Sequence, residues 1–136
     1  MTRSTTKWDA VNVATTTERF FVFPIQEVSE RYDGNATHRD RAKTFSFDTA
    51  TGNLSQETDW GEVTAATPLV FTDIANDKLT TDFTYATNSQ LMQFPAQQTV
   101  RDIANAVVVE GKTTYDNLAF GQVSQGNVAK QEQLVD

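Results

Sequence analysis

Apolar and polar residues alternate one by one in two stretches of this chain. Residues 43–48 read KTFSFD and residues 78–86 read KLTTDFTYA. Because successive side chains of a β-strand point to opposite faces of its sheet, this period of two predicts strands that bury one face. Threonine occurs 21 times and phenylalanine nine times, and both residues suit the pleated, half-buried surface of a sheet.

Further strand candidates surround these two stretches. Residues 19–25 (RFFVFPI) are strongly apolar, and Pro24 within them indicates a sheet edge, a bulge or a strand end because proline lacks an amide hydrogen. Residues 49–53 (TATGN) predict a turn into residues 54–60, so this region is expected to form a hairpin. The remaining strand candidates are residues 10–15, 63–66 and 69–74.

After residue 95 the spacing of apolar residues becomes helical. They fall on one stripe of a helix at Val100, Ile103, Ala104 and Val107. The β-branched run at 107–109 is unfavourable inside a helix, which leaves a strand as the alternative for this segment. A shorter segment repeats the helical spacing at Tyr115, Leu118 and Ala119.

Strands followed by helices are the element order of an α+β protein. We therefore expect an α+β fold in which a mainly antiparallel β-sheet, of about five to seven strands, precedes two C-terminal helices. The 136 residues are predicted to form one domain. Its predicted parts are a loose N-terminal arm at 1–9, the sheet at 10–89, the helices at 97–124 and a polar tail at 125–136.

Several classes of protein are excluded by residue types that the chain lacks. Cysteine is absent and His38 is the only histidine, so disulfides, thiolate nucleophiles and multi-histidine metal sites are excluded. We expect neither a metal nor a cofactor. No apolar run is long enough to span a membrane, and the N-terminus lacks the apolar core of a signal peptide. We therefore expect a soluble protein made in the cytoplasm.

An enzyme is not expected either. The strongest enzymatic alternative is a glycosidase-like pair among Glu57, Asp59 and Glu62, which flank Trp60, but nothing near them in sequence would raise the pKa of one carboxyl group. His38, with Asp40 as its nearest acid, is predicted to be a solvent-facing residue of a turn.

Four segments carry a resemblance to a known family. Residues 78–89 read KLTTDFTYATNS, residues 99–111 read TVRDIANAVVVEG, residues 112–124 read KTTYDNLAFGQVS, and upstream residues 39–48 read RDRAKTFSFD. They resemble the coat proteins of single-stranded RNA bacteriophages (leviviruses). In that family a long strand ends in a similar Ala-Thr-Asn-Ser stretch, two helices follow, and a basic, alternating strand meets RNA.

The resemblance implies a homodimer in which the helices of each subunit cross over the sheet of its partner. The residues that it places at this interface are Val100, Ile103, Val107, Tyr115 and Leu118. Such dimers would assemble into an icosahedral capsid around single-stranded genomic RNA, with a possible second role as a translational repressor that binds an RNA hairpin. The implied location is the virion, and the host cytoplasm during assembly; no membrane and no small-molecule substrate are expected.

The resemblance also implies an RNA-binding face on the polar side of the sheet. Its candidate residues are Arg39, Arg41, Lys43, Thr44, Ser46, Asn76 and Lys78, which combine cations for phosphates with polar groups for sugars and bases. The alternative interpretation is an ordinary solvated sheet face beside a charged loop that keeps a hairpin soluble. The formal charge is uneven, with +1 over residues 1–43 and −8 over residues 44–136.

Two other functions remain open. A decoration or tail-tube subunit of a tailed phage would also be threonine-rich, β-rich, acidic and self-assembling. A small β-barrel ligand-binding domain would use clustered aromatic residues as its pocket, whereas the simpler interpretation is that these residues form the core. The aromatic residues in question are Phe20, Phe21, Phe23, Phe45, Phe47 and Phe83.

Overall fold

A computed structural model describes residues 1–14, 17–32, 34, 38–67, 69–90 and 92–135. These residues form nine β-strands and no helix. The strands are β1 (Thr2–Asn12), β2 (Phe20–Tyr32), β3 (His38–Phe47), β4 (Leu54–Thr67), β5 (Val70–Asp73), β6 (Leu79–Ala86), β7 (Phe94–Arg101), β8 (Val107–Tyr115) and β9 (Val128–Val135).

All nine strands belong to one sheet, and every pair of neighbours is antiparallel. The order across the sheet is β1-β2-β3-β4-β6-β7-β8-β9, so nearly every strand pairs with the strand before it in sequence. The long strand β4 is the exception, because residues 56–59 pair with β6 while residues 63–67 pair with the short strand β5.

The expectation of an α+β fold with two C-terminal helices is wrong. Residues 97–124, predicted as helical, contain most of β7, all of β8 and part of the connection to β9. A tight turn separates β7 from β8. In this turn the Asp102 amide donates to the Ala106 carbonyl at 2.9 Å, and Asn105 has a φ of +65°. The β preference of the valine run at 107–109 therefore outweighs the helical spacing. The described residues contain no helix that could cross a membrane.

The predicted arm and the predicted tail are also strands. Residues 1–9 lie mostly in β1, and residues 125–136 contain β9. Both strands lie at the edges of the sheet, each with one neighbouring strand, and we call them the end strands. Both are largely exposed, so their side chains need not alternate between apolar and polar.

The strands predicted from alternation are confirmed. The predicted strand at 78–86 becomes β6, and the predicted strand at 43–48 lies largely within β3. The predicted turn at 49–53 joins β3 to β4, with the Gly52 amide donating to the Asp48 carbonyl at 2.7 Å. Period-two alternation therefore identifies the strands that cover part of a core.

The described residues form two small cores, the first of which lies beneath the β4–β5 hairpin. Val28, Ala42 and Val63 are each at most 2 % exposed and pack together, and we call these three residues the hairpin core. Trp60, Ala65 and Phe71 complete its cover. The hairpin bends back over the sheet, because the Gln26 side-chain amide of β2 donates at 2.7 Å to the carbonyl of Leu69, in the turn between β4 and β5.

The second core lies beneath the connection from β8 to β9. Ala86, Ala96, Tyr115 and Val123 are buried against one another and against Phe94, and we call them the loop core. Residues 116–127 provide its cover, and the Asn88 side chain secures them by donating to the Val123 carbonyl at 2.9 Å. The two connections that bend back over the sheet thus each cover a small cluster of apolar residues.

Candidate assembly surface

One face of the sheet carries a broad set of half-buried apolar side chains. Cross-strand partners share a face, and one row of partners crosses the sheet through Phe45, Glu57, Thr81, Val100 and Val109. Every second residue along each strand joins the same face. We call it the aromatic face, and its aromatic residues are Phe21, Phe23, Phe45, Phe47, Phe83 and Tyr85.

Three phenylalanines form a ring cluster at one end of this face. The ring centroids of Phe21 and Phe23 are 4.9 Å apart, and those of Phe23 and Phe47 are 5.3 Å apart, distances typical of favourable aromatic pairs. Of the three, only Phe23 is buried, and the other two remain partly open to solvent. Contact among the three rings therefore leaves part of their surface exposed to solvent.

A groove of about 840 Å³ runs along the other end of the aromatic face, over β6 to β9. Phe83 and Tyr85 line one side of it, and Gln131 and Gln133 of β9 line the other. Burial raises the pKa of Tyr85, whose hydroxyl donates to the Leu54 carbonyl at 2.9 Å. That hydroxyl is therefore engaged within the chain, and the groove is lined by apolar and amide side chains together with Lys112 and Glu132.

The chain exposes much more surface than a compact protein of its mass. Its accessible surface is 8940 Å², whereas a folded monomer of 15.1 kDa is expected to expose about 7,100 Å². The excess of roughly 1,800 Å² follows from the architecture, because domains normally bury the apolar side of a sheet beneath a second layer. Within the part of the chain that the structure describes, two segments bend over the sheet, the β4–β5 hairpin and the connection from β8 to β9.

The predicted RNA-binding cations lie beside carboxylates. The Lys43 ammonium is 2.6 Å from a Glu57 carboxylate oxygen and 3.9 Å from one of Asp59, and Arg41 is also 3.9 Å from Asp59. The hydrogen bond that Lys43 donates to the Glu57 carboxylate raises the pKa of Lys43. Because these positive charges are balanced locally, the cluster offers phosphate groups little net attraction.

The polar members of the predicted RNA site lie on the opposite face from Arg41 and Lys43. Alternation along β3 places Thr44 and Ser46 there, and the Thr44 hydroxyl accepts a hydrogen bond from the Trp60 indole at 3.0 Å. The Lys78 ammonium lies 5.1 Å from the centre of the Trp60 ring, a cation–π distance.

The last two predicted RNA-binding residues, Arg39 and Asn76, do not bring the other five together on one surface. Arg39 is exposed at the start of β3, and Asn76 is exposed in the turn before β6, with a φ of +53°. The seven predicted residues therefore do not converge on a single surface.

The five predicted interface residues also separate. Tyr115 is buried in the loop core, where its hydroxyl donates to the Pro95 carbonyl at 2.7 Å. Val100 and Val107 are half-buried on neighbouring strands, whereas Ile103 and Leu118 are exposed in connections. Because no helix forms at these positions, the interlocking of helices with a partner's sheet, as first expected, is wrong.

Two of the candidate catalytic acids, Glu57 and Asp59, have structural contacts. Glu57 and Asp59 pair with the cations described above, and Asp59 also accepts a hydrogen bond from the Gly61 amide at 2.9 Å. His38 contacts Asp40, which is buried and accepts a hydrogen bond from the Ala65 amide at 2.9 Å. This second contact secures the hairpin that covers the hairpin core. Over the described ranges, no group of three or more histidine, aspartate or glutamate residues is arranged to hold a metal ion.

The two end strands form the part of the surface that the sequence did not indicate. All eight residues of β9 are exposed, as are eight of the eleven residues of β1. Large apolar side chains are exposed on or beside both strands, namely Trp8, Phe20 and Val22 at β1, and Val128, Leu134 and Val135 at β9. Threonines and a tryptophan in β1 suit a strand, but its predominantly polar sequence hides that signal.

Comparison with known proteins adds no constraint on this surface. No family model, no curated protein and no solved structure matches the chain. The geometry described above, together with the residue chemistry, therefore has to carry any functional assignment.

Proposed function

We propose that this chain is a structural subunit that works by assembling with copies of itself into a larger particle, as virion proteins do. The observation that carries the proposal is the accessible surface, which exceeds that of a compact monomer by about 1,800 Å². A sheet with an aromatic face and two exposed end strands accounts for this excess. Association with further copies would remove part of that surface from water.

The size of the excess suits association between proteins. Permanent protein interfaces bury about 2,000 to 5,000 Å² in total, or roughly 1,000 to 2,500 Å² from each partner. The excess surface of one chain falls within that range. It is spread over the sheet, whereas a small-molecule site is a confined pocket that takes up much less surface. A partner of similar size therefore fits the observation better than a small ligand.

RNA is not required by this proposal. The Arg41 and Lys43 charges are balanced by Glu57 and Asp59, and the formal charge of the whole chain is −7. An acidic protein gains little from the phosphate attraction that drives non-specific RNA binding. Enclosure of single-stranded RNA, as the levivirus resemblance implies, is thus a separate outcome of the experiment.

The experiment is to purify the recombinant chain and measure its mass by light scattering over a concentration series, with electron microscopy of the largest fraction. We expect species larger than a dimer whose fraction rises with concentration. Higher salt should increase that fraction, because it screens the repulsion between subunits that each carry −7. A chain that stays monomeric at its highest soluble concentration, in low and high salt, would overturn the proposal.

The ratio of absorbance at 260 nm to that at 280 nm, measured on the same fractions, tests the RNA component. Assembled fractions with a protein-like ratio would support a subunit that assembles without nucleic acid. Particles rich in absorbance at 260 nm that lose it after ribonuclease treatment would instead support the coat-protein function. A double variant, Arg41→Glu with Lys43→Glu, should then lower the RNA content if those side chains contact it.

A further inference from the structure

We infer that the copies join head to tail, with β9 of one copy pairing alongside β1 of the next so that the sheet continues from subunit to subunit. This inference rests on the proposed self-association and specifies its geometry. The joining surface consists of the two strand edges. It does not require the aromatic face.

The first reason is that each end strand has an unpaired edge. Among the described residues, β1 pairs only with β2 and β9 pairs only with β8. The outer edge of each therefore presents a row of amide and carbonyl groups to any strand that can align with it. Natural proteins protect such edges with very short strands, proline, bulges or charged side chains. Here β1 has eleven residues, β9 has eight, and neither contains proline, so the protection that these edges carry is Lys7 and the irregularity between Lys7 and Trp8 in β1, and Lys130 and Glu132 in β9.

The second reason is the direction of the strands. The path across the sheet contains eight strands, and each is antiparallel to its neighbour. Since eight is even, β1 and β9 run in opposite directions. A second copy in the same orientation would therefore place its β1 antiparallel to β9 of the first copy. Each face of the sheet would also continue on the same side across the junction.

The third reason is the position of the exposed apolar side chains. Trp8 lies opposite Pro24 and Ala10 lies opposite Val22, so Trp8 and Val22 share a face beside the β1 edge. Leu134 lies opposite Glu110, and the successive registers place it on that same face beside the β9 edge. Edge pairing would bring these side chains next to one another and cover surface that is now wet.

The fourth reason is the distribution of charge. Arg3 and Lys7 against Asp9 leave β1 with +1, while Lys130 and Glu132 cancel within β9. The rest of the chain therefore carries −8 of formal charge. Two copies of an acidic protein repel each other over much of their surface, whereas the two end strands, at +1 and 0, bring little like charge into contact. Contact between the β9 edge of one copy and the β1 edge of the next therefore causes less electrostatic repulsion than contact through an acidic region would.

Head-to-tail contact also uses both edges in every copy. Pairing only β1 with β1, or only β9 with β9, would stop at a dimer and would leave the other edge unpaired. A repeated β9–β1 contact instead produces a ring if the rotation between copies closes, and a filament if it does not. Either product is larger than a dimer.

Proline substitution in β9 tests the contact. Along an edge strand, successive amides alternate between the neighbouring strand and the outside. One of the two variants Gln131→Pro and Glu132→Pro therefore removes an outward amide while β8 stays paired. That variant should keep the far-UV circular dichroism of the wild type and lower the assembled fraction at least tenfold at equal concentration. The matched control is Glu18→Pro in the exposed β1–β2 connection, which should assemble as the wild type does.

Hydrogen–deuterium exchange on the unaltered protein gives an independent measurement, which decides the matter if both proline variants unfold. Amides of residues 2–12 and 128–135 should exchange more slowly in the assembled fraction than in the monomer fraction. Equal exchange in the two fractions would overturn the inference. So would assembly that stops at a dimer, or assembly that Phe83→Glu on the aromatic face abolishes while both proline variants preserve it. In those three outcomes self-association still stands, whereas a chain that is always monomeric overturns both proposals.

Discussion

The hairpin core and the aromatic face belong to one sheet but bury their apolar residues to different extents. Val28, Ala42 and Val63 are almost completely buried because the β4–β5 hairpin bends back over them. Phe83, Val100 and Val109 lie on the aromatic face of the same sheet and remain half-exposed. The apolar residue types are similar in the two regions. The difference is whether a connecting segment is long enough, and bent enough, to provide a second layer.

This difference separates what holds the subunit together from what is left for contacts with other molecules. Residues under a cover contribute to the stability of the single chain, because unfolding exposes them fully. Half-exposed residues contribute less to that stability. Matched substitutions in the two regions can test the distinction.

The largest effect is expected from shortening a valine under the hairpin. Val28→Ala should lower the free energy of unfolding by about 2 to 3 kcal/mol, because it removes buried carbon and leaves a cavity. Val109→Ala, at a half-exposed position, should cost about 1 kcal/mol or less. Urea denaturation of dilute, monomeric protein would measure both changes. Equal costs would mean that the two regions are buried alike in solution.

The bend that positions the hairpin can be broken at Gly61. This residue has a φ of +62°, and an added Cβ atom would collide with the Asp77 carboxylate. Gly61→Ala should therefore destabilise the chain by roughly 1 to 3 kcal/mol. Gly111→Ala is the control, since an added Cβ atom there meets no other group. Similar thermal stability of the two variants would contradict this role of the bend.

Acid should loosen the cover of the loop core. Partial burial raises the pKa of Asp116, but the backbone amides of residues 124 to 127 donate to its carboxylate and outweigh that effect, so its pKa lies well below the ordinary value. The unfolded chain then takes up the proton first as pH falls. The stabilisation is complete above the ordinary pKa, about 3.9 for aspartate, and is lost as pH falls below it toward the folded value.

Asp116→Asn tests this dependence on pH. The variant should have a lower Tm than the wild type at pH 7 and a flatter dependence of Tm on pH below about pH 4. Glu18→Gln, an exposed carboxylate in the β1–β2 connection, is the control and should retain the wild-type profile. Parallel acid profiles for the wild type and Asp116→Asn would show that the carboxylate does not secure the loop.

The smallest effect is expected from breaking the ion pair between Lys43 and Glu57 on the aromatic face. Lys43 and Glu57 are 2.6 Å apart, and their side chains are 42 % and 27 % exposed, respectively. A double-mutant cycle with Lys43→Ala and Glu57→Ala should give a coupling free energy of at most about 1 kcal/mol, and it should decrease in high salt because solvent ions screen the pair. A larger coupling that salt does not change would indicate that the pair is covered in solution.

The central strands could be predicted from the sequence because they are half-buried. Residues 43–47 and 79–86 alternate since one side of each strand packs and the other faces water. The hairpin at 48–54 was equally predictable from its turn residues. The bend at Gly61 could not be predicted, because nothing local distinguishes this glycine from one in a simple turn.

The C-terminal strands were missed for two physical reasons. Val100 and Val107 have the spacing of a helical stripe, but the five-residue connection at 102–106 places them on neighbouring strands. The end strands β1 and β9 expose both of their faces, so no apolar periodicity marks them. The two end strands and the strands that line much of the groove, β7 to β9, are among these missed elements, which explains why sequence patterns indicated a different interface.

The strand order has a consequence for how the sheet comes apart. Each strand is held mainly by the strands next to it, so the sheet resembles a row in which every member touches only its neighbours. Such a row unravels from its ends while the middle persists, and native-state exchange should show amide protection rising from β1 and β9 toward β4. In a subunit that is paired with a neighbour at both edges, neither β1 nor β9 would be a free edge strand at which unfolding could begin.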